Sequence, residues 1–557
     1  MKDQIQTVIK SVCRDLFHIE TEVELTRPAP NFGDYSTNIA LKLAKQLEKS
    51  PADIADTIAH IINNQDSEII EKVEKAGPGF LNITLTHQAL HDSYSNSVVI
   101  EETNKNKLIL VEFGDQNPFK ELHLGHLYNA VEGDTISNLL ESSGANVKRL
   151  SYHGDVGLQI AKAIWGIGEA IAWNLDNLDE ALKDKALGVY YAEGAKADTV
   201  SEVVAAKISE INEHIYKKDD ETINAIYEKG RNLSFERFDE IFSAVSIKFD
   251  KRYLESQSNV LGLVTVKENI GKVFEESDGA IVYRGEKKGL HTRVFINSKG
   301  LPTYETKDLG LVELKNKDYP NADQSIIITG NEQTEYFKVM LAALSEISPE
   351  LSEKTIHLGN GLLTLTTGKM SSRTGDVYEA KTLLGDIEKE IAVRYPESKV
   401  KDDIFLSAIR YTFLKQRLGS DIVFDVEESV GLEGNSGPYI QYAHARARSI
   451  LQKADEAGHV IAAELQIDQI PLEQSERYLA MKISEFSEIV ERSTKEFMPH
   501  HICTYLYELS QEFNSFYEKN RVINDKRMIT RIHLVNVYAD ILKTGLKLLN
   551  IPAPDHM

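Results

Sequence analysis

The 557-residue chain is 42% hydrophobic and 27% charged and has no run of roughly 18 apolar residues, which excludes a disordered or fibrous chain and a transmembrane helix. Lys and Arg number 63 against 86 Asp and Glu, so a formal charge of −23 counts against a uniformly cationic nucleic-acid binder while leaving room for a local basic groove. Cys13 and Cys503 lie near opposite ends, which excludes a disulfide framework or a CxxC zinc site and fits a reducing cytosol.

Length alone implies about two to four domains. The opening Met1-Lys2-Asp3-Gln4-Ile5 lacks the apolar core of a secretory leader. Residues 1–106 mix amphipathic and alternating segments: Ile39 to Leu47 has helical apolar spacing, and Phe80 to Leu85 alternates like a strand. Glu101 to Lys107 is polar and forms a linker. Across 107–385, short apolar runs such as Leu108 to Phe113 and Ile326 to Thr329 alternate with helical segments, the pattern of a parallel sheet covered by helices. Residues 386–557 are almost wholly helical in pattern. No dinucleotide GxGxxG follows the first strand, Leu363 stands where a P-loop needs its first glycine, and no HExxH occurs.

The chemistry concentrates after Leu108 to Phe113. His123-Leu124-Gly125-His126 sits where a strand becomes a helix, and the free N–H groups of a helix start favour anions. Two imidazoles add donors there. Downstream, Lys369-Met370-Ser371-Ser372-Arg373 lies in a Gly/Thr/Ser-rich segment suited to a triphosphate. Taken singly, the tetrad could be an incidental helix start and the basic segment a solvated turn. In this order on an α/β domain, the two resemble the HIGH and KMSKS signatures of class I aminoacyl-tRNA synthetases. Glu112 to His126 (EFGDQNPFKELHLGH), Ser436 to Arg448 (SGPYIQYAHARAR), Gly77-Pro78-Gly79-Phe80, Arg27 to Asn38 and Leu549 to Met557 narrow the resemblance to the arginyl-tRNA synthetases.

That resemblance implies a multidomain α/β protein. Its parts would be a Rossmann-type catalytic domain (107–385), an N-terminal α+β domain binding the tRNA D-loop (1–106) and a C-terminal all-α anticodon-binding domain (386–557). It implies activation of arginine by ATP with Mg²⁺ in the presence of tRNA(Arg), and transfer to the 2′-hydroxyl of the terminal adenosine. No protein-bound zinc, membrane contact or editing domain is expected, and the family implies a cytoplasmic monomer. His123, His126, Lys369 and Lys120 would be catalytic. ATP would meet His123, Gly125, His126, Lys369, Met370 and Ser371, with Gly125 against adenine. Ser372 replaces a lysine common in the class, and Lys120 is expected to supply the missing charge.

A guanidinium pairs best with carboxylates. Glu112 and Asp308 match the family's acidic positions, with Tyr304 one helical turn from Asp308. Asn117 and Gln333 match positions that hold the amino acid's backbone and head groups. Asp155 and Gln159 are supporting candidates, and His357 is expected to be structural. Phe80 and Asn82, at i and i+2, share a strand face and would meet an unpaired base. Tyr439, Tyr442 and Arg446 share a helical face and, with Tyr517 and Met557, would meet the anticodon loop. Tyr505 and Tyr507 suit a helical core instead. The other readings are a class I synthetase for another amino acid such as cysteine, a non-catalytic synthetase-like RNA-binding protein, and a small-molecule ligase of the wider group.

Overall fold

The computed structural model describes residues 1–366, 378–458 and 471–557. Its first unit packs helices Lys2–Phe17, Ile39–Leu47 and Pro51–Asn63 with an antiparallel sheet of β1 (Tyr35–Thr37), β2 (Ile70–Ala76) and β3 (Phe80–Leu85) in the order β1-β3-β2. The alternation in β3 is the physical reason for its orientation: Leu81, Ile83 and Leu85 are fully buried, whereas Phe80 is 42% exposed on the opposite face.

The second unit is built on a parallel sheet that takes β4 (Leu108–Glu112), β5 (Asn146–His153) and β6 (Lys251–Leu254). A small antiparallel sheet of β7 (Glu275–Ser277), β8 (Ala280–Tyr283) and β9 (Arg293–Ile296) intervenes, and β10 (Gln324–Gly330) and β11 (Thr355–Asn360) complete the parallel one. The order is β11-β10-β4-β5-β6. Central strands β4 and β10 read as nearly continuous apolar runs because helices cover both faces. The chain leaves β4 towards β5 and later returns on its other side with β10. The carboxyl ends of β4 and β10 therefore frame a topological switch point, where such sheets hold ligands. Between β5 and β6, helices Leu158–Ala170, Leu187–Val200, Glu202–Lys217 and Glu221–Ala244 share an apolar core of their own around Ile164, Ile167, Ile208 and Ile211.

Beyond Ala380 the described chain is helical apart from a short strand, Ile422–Phe424. Its helices pack against Leu124–Ser142, the helix that follows β4. Arg410, on helix Lys401–Leu414, is completely buried at that junction. It donates to the carbonyls of Leu549 and Val245, to Asp134 Oδ2 (2.7 Å) and to Thr135 Oγ1. Arg149 and Asn550 also donate to Asp134. One guanidinium thus ties the terminal segment, the inserted helices and the helix after β4 together. Removing one partner of a buried pair leaves a stranded charge, so Arg410→Leu should cost about 3 kcal/mol, seen as a lower midpoint of urea unfolding.

Candidate active site and RNA-binding surfaces

His123 is the N-cap of helix Leu124–Ser142, and its Nδ1 accepts the Gly125 N–H at 3.1 Å. That bond fixes the tautomer: the remaining proton sits on Nε2, a donor free of the helix. A Cβ at Gly125 would lie 3.1 Å from the His123 ring, so the glycine lets the imidazole fold back over the first turn. His126 stacks on His123 with ring centroids 3.6 Å apart. Burial, reinforced by the charge of Lys120, pulls His123 down to about 4. Burial and the neighbouring His123 and Lys120 hold His126 well below its ordinary range as well. Both rings are neutral at pH 7. They can therefore serve as hydrogen-bond donors, while the positive charge comes from elsewhere.

A ring of acids closes the other side of the switch point. Glu112, at the end of β4, is buried and receives the Lys315 ammonium at 2.9 Å. Three residues on, Asp115 accepts the Tyr152 N–H at 3.3 Å. Burial and the charges of Glu112 and Asp308 push its carboxyl well up. Asp308 lies on helix Tyr304–Asp318, where Tyr336 donates its hydroxyl to Oδ2. Burial raises Asp308 to about 8 against that hydrogen bond, and the charges of Glu112 and Glu255 add to the rise. Glu255 is paired with Lys307 at 2.6 Å. Asp115 and Asp308 have no cationic ion-pair partner among the described residues. Burial thus favours the protonated forms of both acids in the empty cleft, and a bound cation would favour their ionised forms.

The remaining predicted groups surround these two walls. Asn117 Oδ1 accepts the Gly154 N–H at 2.9 Å, an approach a Cβ on Gly154 would block. Tyr304 is 62% exposed beside Asp308, with Lys307 over its ring. Gln333 is exposed at the carboxyl end of β10. Lys120, three residues before His123, donates to Gln159 Oε1 at 3.1 Å. Asp155 accepts from the Tyr227 hydroxyl (2.6 Å) and from the Ser256 N–H and hydroxyl, and so ties the inserted helices to the site. His357 bonds Thr329 and stacks on Phe337, a packing role.

Lys369, Met370 and Ser371 lie outside the described residues. Both flanks of that segment are fixed by backbone hydrogen bonds. Thr366 N–H reaches the Phe424 carbonyl. Tyr378 accepts the Leu124 N–H, and the Ala380 N–H reaches Leu122, so the second flank is bonded directly to the histidine segment.

On helix Gly437–Glu456, Tyr439 and Arg446 both bond Asn514, and Arg446 lies 4.6 Å above the Tyr517 ring. Tyr442, one turn from Tyr439, is 44% exposed. The terminal segment lies along this helix: Gln441 donates to the Pro552 carbonyl, His444 Nδ1 to that of Pro554, and Met557 is exposed. Tyr505 is buried in the bundle, and Tyr507 packs edge-on against Tyr439. In the N-terminal unit, Asn82 pairs with Ser36 and Glu74 and is half-buried beside exposed Phe80.

Sequence reasoning did not single out Asp115, Glu255, Lys307, Lys315, Tyr152 or Tyr336. Asp115 lay inside the quoted motif two residues before Asn117. Lys315 stands seven residues after Asp308, a spacing that places both on one helical face.

Three family models match the chain. "Arginyl tRNA synthetase N terminal domain" matches residues 1–85, "tRNA synthetases class I (R), catalytic domain" residues 88–426, and "DALR anticodon binding domain" residues 440–557. Arginine–tRNA ligase of Bacteroides fragilis is 27% identical, with all of both chains covered. That of Borrelia garinii is 30% identical over 94% of this chain and 93% of its own. The solved arginyl-tRNA synthetase of Thermus thermophilus shares the fold at a TM-score of 0.82 and 24% identity, covering both chains completely.

Proposed function

The chain belongs to the class I arginyl-tRNA synthetases and is an arginine–tRNA ligase, and on that footing we propose how its own residues carry the reaction. The observation supporting the assignment of roles is the juxtaposition of two walls at one switch point. One wall is a helix start with two neutral imidazoles, and the other has two acids, Asp115 and Asp308, with no ion-pair partner among the described residues.

Asp308 and Asp115 stand where arginine's head would offset their charge, with Glu112 setting the floor and Tyr304 closing the outer side. Asn117 and Gln333 hold the amino acid's backbone. Its carboxylate oxygen then attacks the α-phosphorus of ATP, the bond to the bridging α–β oxygen breaks, and pyrophosphate leaves. No covalent enzyme intermediate is needed, so the protein's task is to position groups and stabilise charge. His123 Nε2–H and the His126 ring donate to the phosphates, Gly125 leaves space for adenine, and Lys120 supplies positive charge. By the resemblance of their motif, Lys369, Met370 and Ser371 would bind the same triphosphate, and Mg²⁺ arrives with ATP as part of the substrate. The 2′-hydroxyl of the terminal adenosine takes the arginyl group from the adenylate, releasing AMP.

Residues 386–557 meet the anticodon loop through Tyr439, Tyr442, Arg446, Tyr517 and Met557, and 1–106 meet the D-loop through Phe80 and Asn82. The enzyme acts as a cytoplasmic monomer. Among the described residues no helix is long and apolar enough to cross a membrane. The test is charging of a tRNA(Arg) transcript with labelled arginine. Product is expected with arginine and none with cysteine; cysteine charging, or no arginine charging by the intact chain, contradicts the assignment.

A further inference from the structure

Among the described residues three lysines, Lys120, Lys307 and Lys315, reach the cleft, and their partners differ in kind. Lys307 donates to buried Glu255 and Lys315 to buried Glu112, so each spends its charge on a protein carboxylate. Lys120 is held by neutral groups: its ammonium donates to Gln159 Oε1 at 3.1 Å and lies 4.6 Å from the centroid of the Tyr191 ring. No carboxylate lies within ion-pair distance of it among the described residues. The adjacent Glu121 turns instead to Arg237 (3.7 Å) and the Gly188 N–H. Both partners of Lys120 come from the inserted helices, Gln159 from the first turn of Leu158–Ala170 and Tyr191 from Leu187–Val200.

Lysine carries a point charge on a flexible stem, and leaving it loose costs entropy when a ligand must be met. A carboxylate would fix it but would then compete with the ligand's phosphates. An amide oxygen and an aromatic face fix it without neutralising it. We propose that Gln159 and Tyr191 are positioning residues for Lys120. They hold its ammonium beside the paired histidines with its charge uncompensated until a nucleoside triphosphate arrives. The inserted helices thereby complete the ATP side of the cleft. This inference rests on the reading of Lys120 as a triphosphate ligand.

The test is arginine- and tRNA-dependent ATP–pyrophosphate exchange by the full chain, with kcat and KM resolved for ATP and arginine separately. Tyr191→Leu and Gln159→Glu should each lower kcat/KM for ATP about tenfold while the KM for arginine stays within twofold. Tyr191→Phe, which keeps the ring face, should recover most of the loss. Placed on Lys120→Ala, Tyr191→Leu should add nothing further, because its effect runs through that lysine. Wild-type ATP kinetics in Tyr191→Leu, equal loss in Tyr191→Phe, or losses that multiply with Lys120→Ala would each overturn the inference. An intact chain without arginine-dependent exchange would overturn the underlying reading instead.

Discussion

Replacing Asp308 with asparagine should lower kcat/KM for arginine about 10³-fold, mostly through KM, with the KM for ATP nearly unchanged. The variant keeps the shape and the Tyr336 contact but removes the charge a guanidinium needs. Losing one partner of a desolvated ion pair costs roughly 2–5 kcal/mol, or about one and a half to three and a half decades in affinity. The same residue sets a pH dependence. In the empty cleft Asp308 is held up to about 8, so near neutrality much of it is protonated. Arginine is always cationic and binds the ionised form. Its KM should therefore fall as pH rises from 6 to 8, by up to about tenfold per unit, and level off above 8. In Asp308→Asn the slope should become shallower, Asp115 being the acid that remains. Stability follows the matching sign: ionising an acid whose folded-state pKa is raised from 3.8 costs the folded protein stability progressively as pH climbs towards about 8. Saturating arginine, supplying the counter-charge, should raise the thermal midpoint more at pH 8 than at pH 6.

His123→Ala should slow pyrophosphate exchange by roughly a hundredfold or more at saturating substrates. A preorganised donor aimed at developing phosphate charge is worth about 2.7–4 kcal/mol. The loss should appear in kcat rather than in the KM for arginine, since the ring sits on the opposite wall from the acids. Because His123 is held down near 4, kcat should show no step around pH 6.5, where an ordinary histidine titrates. A rapid-quench measurement of adenylate formation between pH 5.5 and 8.5 resolves this. Exchange in His123→Ala at the wild-type rate would remove the imidazole from the chemistry.

The architecture was legible because its signals are local and repeated. Apolar runs at Leu108 and Ile326, turns at their carboxyl ends and a helical pattern past residue 386 are each set by spacing of a few residues. The histidine pair was legible for the same reason, since i and i+3 on a new helix bring both rings to one end. The acid cluster was only half visible. Glu112 and Asp308 stand out by their positions, but that Glu112 is neutralised by Lys315 depends on helix Tyr304–Asp318 packing across β4, a contact between segments some two hundred residues apart. Asp115 has no pattern of its own, and its burial and its lack of an ion-pair partner among the described residues arise from the fold. Tyr191 lies in an inserted helix whose apolar spacing says only that it packs. That its ring meets Lys120 is a tertiary fact. The anticodon-side tyrosines were separable by spacing only in part: Tyr442 is exposed, while Tyr439 is drawn into the contact with Asn514 and Tyr507.

The central claim is that unpaired acids in the cleft select a cationic amino acid for reaction with ATP. Pyrophosphate exchange by the intact chain with tRNA(Arg), run in parallel on arginine and on its neutral isostere citrulline, tests it most directly. Arginine should support exchange and citrulline should fall short by at least about three decades in kcat/KM, since its neutral head cannot pair with the acids in their ionised form. Citrulline turning over within tenfold of arginine would show that charge in the cleft does not choose the substrate.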